Sequence, residues 1–202
     1  MSKRIEFFFD LSSPWTCLAF HNIRPIIQEN DAQIIWRPIL VGGIFNAVNK
    51  SVYAMREDLG GPKMRHYMKS LKDWSKWSGV EMNFPSAHHP LKSVLAMRVC
   101  CALEDNQPAL EKFMEIAFAD HFAHQVNLDD AEILAQSIAK AGFDAQDILQ
   151  QTQSQEVKDR LRHNGEELIS RGGYGSPSIF VDGDDMYFGN DQLPLIAAKL
   201  KA

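Results

Sequence analysis

Three short stretches carry residue types whose spacing could do chemistry. In the first, the apolar run 5–9 leads into Asp10, Ser12, Ser13 and Pro14 and then into a helical pattern. Pro14 suits the first helical position, where its missing N–H costs nothing. Ser13 then falls at the N-cap, its hydroxyl beside unpaired backbone donors and the positive end of the helix dipole, where an anion is welcome. The plainer reading is that Ser13 only caps a helix. The second stretch, Gly175-Ser176-Pro177-Ser178, puts a proline at the mouth of an apolar strand, a placement that edge geometry alone can explain. The third is Phe188-Gly189-Asn190-Asp191-Gln192-Leu193. It reads as a helix cap, and it can also recognise an amino-acid end, with Asp191 holding an ammonium and Asn190 and helix N–H groups holding a carboxylate.

The elements that must position these stretches follow from periodicity. Residues 5–9 read as a buried strand, 15–28 as a helix and 32–40 as a second strand with Pro38 at its end or edge. This β-α-β start implies parallel neighbours with a right-handed crossover. From 42 to 171 strand signals vanish, and helices are expected at 53–59, 62–79, 91–105, 108–121, 129–141 and 145–170, with a loop at 80–90 marked by Pro85 and Pro90. Asp129, three residues before Glu132, is a capping-box candidate. Strand 178–182, a Gly183-Asp184 turn, strand 185–188 and a closing helix capped by Asn190 or Asp191 complete the chain. The expected class is α/β, a thioredoxin-like fold formed by residues 1–41 and 172–202, with residues 42–171 as an inserted all-helical domain.

In such a frame the first strand-to-helix turn is the reactive position, because the helix N-terminus favours a thiolate there. Redox members carry Cys-x-x-Cys at that turn. Here the four positions are Ser13, Pro14, Trp15 and Thr16, and Cys17 lies one residue too late, where packing is the expectation. A cis Ser176–Pro177 bond is expected, leaving the backbone N–H and C=O of Ser176 to pair with a peptide-like ligand beside Ser13.

The 202 residues, 45% of them hydrophobic and 23% charged, can bury a sizeable core. A net charge of −5 without a Lys/Arg cluster argues against nucleic acid or an anionic membrane as partner. The N-terminal apolar run is interrupted by Glu6 and ends at Asp10, too short for a signal peptide, and no stretch approaches a membrane span. A cytoplasmic location is expected. Three cysteines, Cys17, Cys100 and Cys101, lack metal-type spacing and are expected to be reduced thiols. No ligand cluster, P-loop or dinucleotide fingerprint calls for a metal or nucleotide.

FDLSSPWTCLA, GSPSIFVDG and FGNDQL, with RPILVGGIFNAVN and FPSAHHPLKSVLAMR between them, resemble the 2-hydroxychromene-2-carboxylate isomerases and the related kappa-class glutathione transferases over essentially the full length. The resemblance implies a DsbA-like fold, glutathione as cofactor, a small aromatic carboxylate as substrate and a homodimer. It also implies that Ser13 contacts the glutathione sulfur as the catalytic hydroxyl without being the nucleophile. Asn49, Ser176 and Pro177 would hold the peptide, and Asn190 with Asp191 the γ-glutamyl end. Trp15 and Phe122 replace a tyrosine and a tryptophan of the family pattern and would keep an aromatic wall.

The implied reaction interconverts 2-hydroxychromene-2-carboxylate and trans-o-hydroxybenzylidenepyruvate by reversible thiolate addition. A buried substrate carboxylate needs a paired cation, for which Arg37, Lys50, Lys92 and Arg98 are candidates. His88 and His89 suit acid–base work by pKa, although their loop suggests solvation. Trp74 and Trp77 either line an aromatic pocket or, at helical spacing with Leu71, belong to the core. The rival readings are a kappa-like transferase acting on another electrophile, a peptide-binding thioredoxin-fold protein and a redox enzyme using Cys17.

Overall fold

The computed structural model describes residues 3–58 and 60–201, so the expected helix at 53–59 has its last residue, Leu59, outside the described chain. Strand β1 (Arg4–Phe9) sits at the centre of a four-stranded sheet of order β2-β1-β3-β4. It pairs in parallel with β2 (Gln33–Pro38) and antiparallel with β3 (Ser178–Val181), which pairs antiparallel with β4 (Asp185–Phe188). This is the thioredoxin-like sheet expected from the order of elements, and Pro38 closes its strand as proline's missing donor requires.

Side chains alternate across β1. Ile5, Phe7 and Phe9 enter one apolar cluster with Phe20, Trp36 and Ile179, while Phe8 enters a second with Ile39, Ile44, Leu168 and Phe180. A strand covered on both faces is apolar at successive positions, as at Phe7, Phe8 and Phe9, while Glu6 keeps its place in β1 through ion pairs with Arg37 and Arg171. Phe7, Phe8 and Phe9 are fully buried, each stabilising the fold by roughly 1.5–3 kcal/mol on transfer scales.

Between β1 and β2 lies α1 (Pro14–Glu29), and α10 (Leu193–Lys201) closes the chain after a tight turn at Asn190–Gln192. The described residues between β2 and β3 form no strand. They build α2 (Val41–Val48), α3 (Ser51–Glu57), α4 (Pro62–Ser78), α5 (Val94–Leu103), α6 (Gln107–Phe118), α7 (Ala131–Lys140), α8 (Ala145–Gln151) and α9 (Gln155–Ser170).

Several boundaries differ from expectation, each for a local reason. Helix α2 was not among the expected helices; its first free N–H, on Val41, is satisfied by Asp10 Oδ2 at 2.8 Å. Asp130, not Asp129, caps α7, accepting from Glu132 N and Ile133 N. The helix expected over 145–170 is two, because Ser154 caps a new start by accepting from Val157 N at 3.2 Å. Helix α5 begins later than expected, at Val94, and α6 gives way at its end to a wider π-turn, Ala119–Ala123.

Candidate functional site

The site is built where β1 runs into α1. Ser13 has extended backbone angles (φ −92°, ψ 117°), and its Oγ accepts from Thr16 N at 3.2 Å, as an N-cap should. The same hydroxyl donates to the backbone carbonyl of Ser176 at 3.2 Å, so that carbonyl is engaged here and not free as expected. The Ser176–Pro177 peptide is cis. Ser176 Oγ accepts from Asp10 N at 2.9 Å and lies 2.7 Å from Thr16 Oγ1. Two strand ends and a helix start are thereby locked through three hydroxyls.

Asp10 holds this turn from below. It is fully buried, and its carboxylate accepts from Ser12 N at 2.9 Å, Val41 N at 2.8 Å and Ser93 Oγ at 3.0 Å. Burial pushes its pKa up, against the pull of these donors.

Asn190 is 1% exposed. Its Oδ1 accepts from Asn22 Nδ2 of α1 at 2.8 Å, so its side chain joins two elements and does not cap α10. Among the described residues, its own Nδ2 is buried without a hydrogen-bond partner. An orphaned buried donor is costly unless a ligand acceptor reaches it, and a carboxylate oxygen suits. Asp191 next to it is exposed, its carboxylate accepting from Gln192 Nε2 at 3.1 Å. The Gly189 N–H donates to the Pro177 carbonyl at 3.1 Å, which ties this turn to the cis-proline segment. Asn49, at the end of α2, donates from Nδ2 to the Tyr174 carbonyl at 3.2 Å, two residues before Ser176.

The structure thus brings Ser13, Ser176 and Pro177 into one locked turn, and connects Asn49 and Asn190 to it through Tyr174 and Gly189. Trp15 meets Tyr67 of α4 edge to face at 5.9 Å, giving the turn an aromatic flank. Sequence reasoning missed Asp10, Asn22 and Tyr67 as parts of this arrangement, and treated Thr16 only as a missing cysteine. The signal for Thr16 was present, since it occupies the fourth position of the turn.

Other expected participants lie elsewhere. Phe122 is fully buried against Phe84, Phe118 and His121 and walls no open site. Arg37 is enclosed by Glu6 at 3.5 Å, Glu104 at 3.3 Å and Glu167, so it cannot anchor a substrate carboxylate. Lys50 and Lys92 are exposed. His88 and His89 are half-buried, not solvated, and the His89 ring packs edge-on against Phe84 at 4.6 Å. Trp77 is 76% exposed, so it is no core residue, whereas Trp74 beside it is half-buried. Cys17 is buried as expected, and burial pushes its thiol pKa up to about 12. Among the described residues, no helix is long and apolar enough to cross a membrane.

Comparison with known proteins gives three close likenesses. The chain is 25% identical to a 2-hydroxychromene-2-carboxylate isomerase of Sphingobium xenophagum over 207 aligned positions, covering 99% of both chains. It is 26% identical to glutathione S-transferase kappa 1 of Rattus norvegicus, covering 96% of this chain and 88% of that one. A structure of 2-hydroxychromene-2-carboxylate isomerase superposes with a TM-score of 0.82 at 19% identity, covering 98% of this chain and 94% of that one, which establishes the likeness of fold. The DSBA-like thioredoxin domain matches residues 4–201, nearly the whole described chain, and the protein belongs to that family.

Proposed function

We propose that this protein is a glutathione-dependent isomerase that interconverts 2-hydroxychromene-2-carboxylate and trans-o-hydroxybenzylidenepyruvate. The observation that carries the reading is the pairing of the Ser13 hydroxyl, at a helix N-terminus, with the carbonyl before a cis proline. The orphaned Nδ2 of Asn190 fits a carboxylate of the same ligand. The isomerase and kappa-class relatives, at 25% and 26% identity, support glutathione and this substrate class.

When bound, glutathione supplies a thiolate that adds reversibly to the conjugated carbon–carbon double bond exposed by ring opening, lends it single-bond character for rotation, and leaves unchanged. The protein's part is to bind and to tune. Ser176 offers backbone groups to the peptide, with Pro177 fixing their direction and Asn49 holding the segment that presents them. Asn190 donates to the γ-glutamyl carboxylate, and Asp191 accepts from its ammonium. Peptide binding at Ser176 releases the Ser13 hydroxyl from the Ser176 carbonyl. Ser13 then donates to sulfur, and together with the helix N-terminus it lowers the thiol pKa by stabilising the charged form. The Trp15–Tyr67 pair flanks the aromatic substrate. This reading carries with it a homodimer and a cytoplasmic place in the breakdown of aromatic rings.

A second reading follows from the kappa-class likeness: the same site conjugates an electrophile and releases the adduct. The test is turnover of 2-hydroxychromene-2-carboxylate followed by ultraviolet absorbance, with total glutathione titrated before and after and Ser13→Ala run in parallel. Isomer formed with glutathione undiminished, and a loss of rate of about a hundredfold in Ser13→Ala, is expected. Consumption of glutathione assigns the site to transfer, and full activity of Ser13→Ala overturns the role of the hydroxyl.

A further inference from the structure

A cavity of about 380 Å³ opens between α2, α5 and α9, within the size range of small-molecule sites. Its lining contains none of the residues proposed to hold glutathione. Leu40, Ile44, Val94, Leu161 and Ile169 make its apolar walls. Arg98 and Lys158, both half-buried, reach it from facing helices α5 and α9. Arg162 and Glu166 also line it, but they pair with each other at 3.0 Å, and Arg162 with Asp159 at 3.1 Å.

Arg98 is the unusual member. Arg37, Arg160 and Arg171, the other partly buried arginines on the neighbouring elements, are all ion-paired. Among the described residues Arg98 makes neither an ion pair nor a hydrogen bond, and its Nε is buried without a partner. A half-buried guanidinium without an ion pair, lining an apolar cavity, matches a planar carboxylate on an apolar body. Lys158 adds a second positive charge from the opposite wall, and the lining holds three cations against one carboxylate.

We propose that this cavity is a binding site for a small organic carboxylate with an apolar body, held by Arg98. Its walls reach the Ser13 turn through Asp10, which accepts from Val41 N, next to Leu40, and from Ser93 Oγ, next to Val94. The site does not depend on the glutathione reading.

The test uses the full chain, with 2-naphthoate as the probe and 2-naphthylmethanol as its uncharged counterpart, each titrated by calorimetry. Binding of the carboxylate and not of the alcohol is expected, with affinity weakened by one to two orders of magnitude, roughly, in Arg98→Met. Gly43→Leu is the second variant. A Cβ at Gly43 meets nothing within 4 Å, so the leucine fills the cavity from a helical position where glycine itself is unfavourable. Far-UV circular dichroism and Tm verify folding of both variants. Loss of binding in Gly43→Leu with Tm preserved supports the proposal. Wild-type affinity in Gly43→Leu, equal binding of the alcohol, or no binding of 2-naphthoate at millimolar concentration overturns it.

Discussion

Glu104 at the end of α5 should make the stability of this protein fall as pH rises from about 4.5 to about 7. Its side chain is 11% exposed and lies 3.3 Å from Arg37 Nε, and both its oxygens accept from Asn164 Nδ2 at 3.0 Å. Burial outweighs these partners and raises its pKa from 4.5 to about 7. A carboxyl group whose pKa is raised on folding favours the folded state when protonated. Its contribution is complete below pH 4.5 and is lost as pH rises to about 7. At about 1.4 kcal/mol per pH unit, that interval corresponds to roughly 3 kcal/mol. Glu104→Gln removes the titration while keeping an acceptor for Asn164. The assay is urea unfolding of both proteins at pH 4.5 and pH 8. Whatever the offset between them at pH 4.5, the variant should gain roughly 3 kcal/mol on wild type by pH 8. A difference that is the same at both pH values would refute the reasoning, because the Arg37 and Asn164 contacts would then compensate burial fully.

Three further outcomes are expected. Thr16→Val removes a fully buried hydroxyl lying 2.7 Å from Ser176 Oγ; it should cost about 1–2 kcal/mol, a fall in Tm of about 2–8 °C by calorimetry, and an unchanged Tm would show that this bond is not stabilising. Asn190→Asp keeps the acceptor for Asn22 but replaces the orphaned donor with a negative charge. Glutathione affinity measured by calorimetry should drop by about tenfold or more, and an unaltered affinity would remove Asn190 from the site. Cys17, Cys100 and Cys101 all have thiol pKa values raised by burial. A chromogenic disulfide at pH 8 should therefore leave the native thiols unmodified and react with all three in guanidinium, and Cys17→Ala should match the wild type in the proposed isomerase reaction. Rapid reaction of one native thiol would reopen a redox role.

Much of the frame was legible because its signals are local. The run 5–9 needs no distant partner to be recognised as a strand, and Ser13 before Pro14 announces a helix start whatever surrounds it. The cis bond expected before Pro177 is present. What could not be read was supplied across the fold. Helix α2 begins at a site with no local side-chain cap, and the acceptor for its Val41 N–H is a carboxylate 31 residues earlier. Arg37 looked as available for a substrate as Arg98 did. Only folding shows that Glu6, Glu104 and Glu167, far apart in the chain, converge on the first and, among the described residues, leave the second without an ion pair.

The same logic explains why the candidate site was read as three isolated stretches when its physical unit is a single knot of hydrogen bonds. Asp10 is conspicuous in sequence only as the residue that ends an apolar run, yet its carboxylate joins Ser12, the start of α2 and Ser93, next to the start of α5. Its backbone N–H donates to Ser176 Oγ, which meets Thr16. A substitution at Asp10 therefore acts on Ser13 without touching it. Asp10→Asn replaces one acceptor oxygen by a donor that faces N–H and O–H groups already donating, and at least one buried polar group must lose its partner, at about 1–3 kcal/mol. If the Ser13 hydroxyl works only as placed by this knot, kcat in the proposed isomerase reaction should fall in Asp10→Asn under conditions where the variant remains folded, with its loss concentrated in kcat and not in KM. A variant destabilised to unfolding by urea but unimpaired in kcat would instead separate the scaffold from the chemistry, and leave the helix N-terminus to place Ser13 on its own.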